Sequence, residues 1–214
     1  MTLPELELQF AYARLAWGAV LAALIVCAAL GARRFGSLRL AGAIGLTMGV
    51  MWLPGQASPA HWLGLAFQSP SALLTALCVA ALVRRARHAA PNPAPLLPPW
   101  LACCLGAVGA LLYADATGWV LLGVYPAGFG SPAAPAAASA IGLIATGLVL
   151  AGRQRETGAA LLAAAALFAF ARLPSGNLFD AMLDPFLWCW AVWAALARVW
   201  AGVLRWPLGR NPAP

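Results

Sequence analysis

The sequence predicts an all-α, polytopic transmembrane bundle of about seven spans, with the N-terminus outside and the C-terminus in the cytoplasm. Three observations carry that expectation. The 214 residues are 63% hydrophobic and only 9% charged, which leaves too little polar surface to cover a soluble globule. All 13 basic residues are arginine. Most of them gather in four clusters, Arg33/Arg34/Arg39, Arg84/Arg85/Arg87, Arg153/Arg155 and Arg198/Arg205/Arg210, each lying beyond every second apolar segment. Cations retained on the cytoplasmic face give this spacing. The acids Glu5, Glu7, Asp115, Asp180 and Asp184 then fall on the opposite side, and Trp52, Trp62, Trp119 and Trp188 mark the outer boundary, where an indole with an apolar body and a polar edge is favoured. Trp100, Trp200 and Trp206 mark the inner boundary.

Taken in order, the first span covers residues 8–31. Its leading segment is acidic and Arg33 and Arg34 follow the apolar run, the reverse of a signal peptide, so a retained first helix is expected. The second and third spans, residues 38–53 and 70–83, are short against the usual minimum of about 17 residues. Either the bilayer thins there, or residues 61–67 (HWLGLAF) form an interfacial helix that completes the fold. The proline-rich stretch 90–99 (APNPAPLLPP) cannot continue a helix, and it is the expected hinge between spans one to three and spans four to seven.

The fourth span is read as residues 100–124, ended by Pro126, Gly128 and Gly130. The fifth, 132–152, repeats Ala133, Ala137 and Ile141 at helical spacing among other small residues, a composition that permits close helix packing. The sixth covers 157–173 and the seventh 185–204. After the first helix the chain reads as three hairpins, each turning outside through an aromatic and polar loop at 52–68, 113–131 and 172–188. At about 20 residues per crossing, seven crossings use about 140, so residues 1–214 form one integral membrane domain with no room for a soluble catalytic domain.

These features exclude several function classes. The net charge of +7 sits in short juxtamembrane groups, which suits anionic lipid headgroups rather than nucleic acid. The five cysteines lie inside apolar runs without a CxxC pair and are expected as buried small hydrophobes, not as a disulfide or redox relay. His61 and His88 map to opposite faces, which excludes a bis-histidine haem and a multi-histidine metal centre. No cofactor and no metal is expected. There is no GxSxG, HExxH, Walker, GxGD or DxD motif. The string Leu173 to Asn177 differs from the PSGH of membrane phosphatidate phosphatases by asparagine at the histidine position.

Charged groups within a membrane are costly and therefore informative. Arg14 and Arg172 are the two arginines on the outer side, and an ion pair of either with Asp115 is expected. The segment 172–185 (RLPSGNLFDAMLDP) is the most polar in the chain. Asn177, Asp180 and Asp184 share one face there if it is helical. Alternatively, Ser175 or Asn177 starts a short helix and Asp184 caps the seventh span ahead of Pro185. With His61, which a headgroup contact also explains, the candidate binding residues are Arg14, His61, Asp115, Arg172, Asn177, Asp180 and Asp184; no catalytic residue is assigned.

The expected function is that of a small bacterial inner-membrane protein acting as a non-enzymatic accessory or binding subunit in the cell envelope, in contact with membrane lipids and a larger membrane-protein partner. Two alternatives stand beside it. One is a lipid-modifying enzyme whose outer acids act as acid or base while Arg14 or Arg172 binds a phosphate. The other is a small transporter or channel in which the acids relay protons or bind a cation.

Overall fold

The computed structural model describes residues 4–30, 37–87, 95–130, 132–152 and 154–204. Their regular structure is all helical, with no strand among the described residues. The helices are α1 (Leu6–Leu30), α2 (Ser37–Met51), α3 (Pro59–Phe67), α4 (Ala72–Ala86), α5 (Pro99–Ala116), α6 (Val124–Ala127), α7 (Ala133–Leu150), α8 (Arg155–Ala171), α9 (Leu178–Met182) and α10 (Pro185–Leu204). Three stretches, Leu6–Ala28, Pro99–Ala116 and Ala133–Leu150, are long and apolar enough to cross a membrane. They mark the chain as a membrane protein. Arg33, Arg34, Arg153, Arg205, Arg210, His88 and Trp206 lie outside the described residues.

The bounds differ from expectation where a side chain ends a helix early. The fourth apolar run stays helical only to Ala116, because Thr117 turns its hydroxyl back to the Tyr113 carbonyl (2.7 Å) and Gly118 takes a positive φ of 79°. Glycine reaches that region without a Cβ penalty. Residues 59–67 do form a helix, α3, started by Ser58, whose hydroxyl accepts from Ala60 N–H. The proline-rich stretch is held at its described end: Arg198 donates to the Leu97 carbonyl (2.8 Å) and Thr157 to the Leu96 carbonyl (2.9 Å).

Packing departs from the three-hairpin reading. The extensively packed pairs are α1 with α2, α7 with α8, α5 with α10, α4 with α8 and α1 with α4. Consecutive helices pack in two of these pairs, α1 with α2 and α7 with α8, and the other pairs join distant parts of the chain; α4 and α5, joined through the basic and proline-rich stretch, are not among them. The main core places Leu73 and Leu77 of α4 against Leu161, Ala164 and Phe168 of α8, and continues through Leu101 and Leu105 of α5 to Leu187 of α10. It runs across the proposed hinge without a break. Gly158 on α8 permits the approach to α7, since a Cβ there would lie 2.8 Å from the Ala145 carbonyl.

The outer surface of the bundle is apolar. Only 17% of the α7 window is buried, and Leu143, Leu150, Phe170, Trp193 and Trp200 are exposed. The cysteine expectation is corrected in part: all five are free, but Cys27, Cys103, Cys104 and Cys189 lie on this exterior instead of in the core. A small thiol suits an apolar exterior as well as a core. Trp188 has a packing role as well: its indole donates to the Gly106 carbonyl within α5 (3.0 Å) and packs on Tyr113, joining α10 to α5.

Candidate functional site

The polar segment after α8 folds by local turn chemistry. Arg172 ends α8 in the left-handed region (φ 55°), Gly176 has φ 88°, and the Gly176 N–H closes the turn on the Arg172 carbonyl at 2.7 Å. Asn177 then caps α9, its Oδ1 accepting from Phe179 N–H (2.8 Å). Its Nδ2 donates to the Tyr125 carbonyl (3.1 Å), and Leu178 N–H donates to the Gly128 carbonyl (3.1 Å). The completely buried Asn177 thus fastens α9 to α6, and Gly128 leaves the room, because a Cβ there would collide with Asn177 Oδ1.

The continuous polar face expected for Asn177, Asp180 and Asp184 does not form. α9 lasts only from Leu178 to Met182 and Leu183 is extended, so the helical register is lost before Asp184. Asp184 instead caps α10: Oδ1 accepts from Leu187 N–H (2.8 Å), and Oδ2 accepts from Ser71 N–H (2.6 Å) at the start of α4. Ser71 in turn caps α4 through Leu74 N–H (3.1 Å). One carboxylate therefore satisfies backbone donors at two helix starts, which would otherwise be orphaned.

Asp115 is fully occupied by backbone as well. Its oxygens accept from Leu122 (2.8 Å), Gly123 (3.0 Å) and Tyr125 (2.9 Å) N–H groups, folding the loop back over the end of α5. The expected ion pair with Arg14 or Arg172 is absent. Arg14 lies over the Trp52 ring (5.3 Å) and Arg172 over the Phe168 ring (4.8 Å), because three aligned N–H donors at hand serve the carboxylate without desolvating a guanidinium. The sixth acid, Glu156, does pair, with Arg84 across α8 and α4.

Between these elements lies a cavity of about 210 Å³. Its polar walls include Gln68, Tyr113, Tyr125, Ser175, Asp180 and Asp184, and Phe67 and Phe186 form an edge-to-face pair beside it (5.3 Å). No arginine, lysine or histidine lines it. Of the two acids in the lining, Asp180 is the one whose oxygens meet side chains: Tyr125 Oη donates at 3.1 Å and Ser175 Oγ at 2.5 Å. Burial lifts its carboxyl above the ordinary carboxylate range, against the downward pull of the Ser175 and Tyr125 hydroxyls. Burial, then the neighbouring Asp180 charge, pushes the Tyr125 phenol up to about 12.

The seven candidates thus separate. Asp180 and Asp184 line the cavity, Asn177 lies buried behind it and Asp115 holds the loop that delivers Tyr125. His61 sits exposed on α3, edge-on to Trp62 (5.4 Å), away from the cavity, as are Arg14 and Arg172. Tyr125, Tyr113, Ser175 and Gln68 belong to the site without having been expected there. Their positions carry no spacing signal, since they arrive from separate places: Gln68 at the end of α3, Tyr113 on α5, Tyr125 on α6 and Ser175 in the turn before α9. Among the described residues no three His, Cys, Asp or Glu side chains converge as a metal would need. Comparison of the chain with family models, with curated proteins and with solved structures gives no match.

Proposed function

We propose that the protein is a seven-span, multi-pass protein of the bacterial inner membrane, N-terminus outside and C-terminus cytoplasmic, acting as a non-enzymatic binding subunit through its outer polar cavity. The spans would be α1, α2, α4, α5, α7, α8 and α10, with α3, α6 and α9 forming the outer face. The described arginines Arg39, Arg84, Arg85, Arg87, Arg155 and Arg198 fall at the ends opposite that face in this registration, in keeping with the positive-inside rule.

The observation that carries the binding reading is the employment of the acids. Asp115 and Asp184 hold backbone N–H groups and Asn177 is a cap, so they are scaffold, and Asp180 is left as the one acid presented to the cavity by side-chain hydroxyls. A cavity with aromatic walls and one adjustable carboxyl held by two hydroxyls, and with no histidine, lysine or arginine in its lining, suits recognition better than turnover. The partner is a larger envelope membrane protein or a lipid reaching the cavity from the outer leaflet.

The test is recovery of the tagged protein from native membranes after crosslinking from a photoreactive residue at Phe186, beside the cavity. A discrete adduct that Asp180→Ala removes is expected. No adduct in the wild type, or an unchanged adduct in the variant, contradicts the reading. A second reading, a lipid-modifying enzyme, is favoured by one feature: a carboxyl with a raised pKa in a cleft suits a general acid. The arginines once assigned to its phosphate are not in that cavity, so such an enzyme would act without them.

A further inference from the structure

A second groove, about 360 Å³ in volume, runs between α7 and α8. Its walls are apolar and small, from Pro135 and Ala138 on α7 to Leu162, Ala166 and Ala169 on α8, with the Phe168 ring at its upper end. Two polar side chains reach it, Arg172 and Ser139. The Arg172 guanidinium rests on Phe168, and among the described residues it makes no hydrogen bond or ion pair. Ser139 is exposed, and unlike Thr146, which returns its hydroxyl to the Gly142 carbonyl at 2.8 Å, it has no hydrogen bond among the described residues. Five guanidinium donors and a hydroxyl on an apolar helix pair are expensive to leave without acceptors.

We infer that this groove holds one anionic glycerophospholipid. Arg172, at the end of α8 where a cation also complements the helix dipole, takes the phosphate. Ser139 lies one turn further along α7 than Pro135 and so sits deeper, where it donates to an ester carbonyl. The alanine-lined floor receives an acyl chain. Charge selects the occupant: the groove carries one cation and no acid, which favours a net negative headgroup over a zwitterionic one. The inference rests on the membrane reading but is independent of the cavity at Asp180.

The experiment reconstitutes the full chain in nanodiscs of mixed phosphatidylglycerol and phosphatidylcholine and counts retained lipids by native mass spectrometry. The wild type is expected to retain phosphatidylglycerol preferentially. Arg172→Gln lowers that retention about fivefold, the factor for losing one cation's attraction to an anionic headgroup. Ala169→Phe, which fills the groove from its exposed side and leaves the guanidinium intact, lowers it similarly, whereas Arg87→Gln at the opposite end leaves it unchanged. Equal retention of both lipids, or an Arg87→Gln loss matching that of Arg172→Gln, overturns the site, as does wild-type retention in both groove variants. Protein that stays in carbonate-washed membranes without the preference overturns this inference alone; release by carbonate overturns the membrane reading beneath it.

Discussion

Asp184 shows how a single residue determines the outer architecture. Its two oxygens satisfy the N–H of Ser71, 113 positions before it in the chain, and that of Leu187 in the first turn of α10. Asp184→Ala removes a helix cap, typically about 1 kcal/mol, and leaves a buried N–H at Ser71 without a partner, about 1 to 3 kcal/mol. A loss of about 2 to 4 kcal/mol is expected in denaturant unfolding in micelles, with Asp184→Asn recovering roughly half because one acceptor remains. An Asp184→Ala variant as stable as the wild type would remove this residue from the scaffold. Asp180 behaves in the opposite way. Its folded pKa lies above the unfolded value of about 3.9, so the stability it contributes is full below that value and is lost as pH rises through the raised one. Asp180→Asn, a neutral stand-in, is expected to melt higher than the wild type at pH 8 and level with it at pH 3.5; a lower melting temperature at pH 8 contradicts the sign.

At the scale of elements, close approach depends on absent side chains. Gly158→Ala is expected to cost about 1 to 3 kcal/mol as overpacking against the Ala145 carbonyl of α7. Gly128→Ala is expected to lose a similar amount by displacing the buried Asn177. Gly142→Ala, where a Cβ meets nothing, is the control, and equal losses at all three would refute the packing account; guanidinium unfolding of the three side by side measures it. The sequence made the long helices legible because apolar runs and breakers are local signals: α10 begins at Pro185 and ends at Leu204 as read. The early end of α5 is marked locally by Thr117 and Gly118, but the loop beyond it was hidden, because that loop depends on Asp115 bonding N–H groups up to 10 residues away. For the same reason Asp180 and Asp184 were recognisable as candidates by type and place. Tyr125 was not, since only the folding of α6 beside α9 brings it to Asp180; Ser175, five residues before Asp180, was named only as a helix start.

For the whole molecule, the unusual property is an exterior as apolar as its interior. Leu143, Leu150, Phe170 and Trp193 face outward on α7, α8 and α10, while the polar side chains collect at one end around the cavity and arginines collect at the other. A bilayer resolves both facts together, covering the apolar girdle and leaving each polar end in water. The packed pairs fit this arrangement, because α1 lies against α2, α7 lies against α8, and the core links α4, α8, α5 and α10, with the cavity at the ends of α4, α5 and α10 nearest α9.

The orientation is the claim on which the cavity's role as an outward site depends, and cysteine accessibility measures it directly. In a chain whose five native cysteines are replaced, Trp119→Cys in the highly exposed loop after α5 is expected to react with a membrane-impermeant maleimide added to intact cells, and Ala86→Cys only after the membrane is opened. Labelling of position 86 with protection of position 119 would contradict the account.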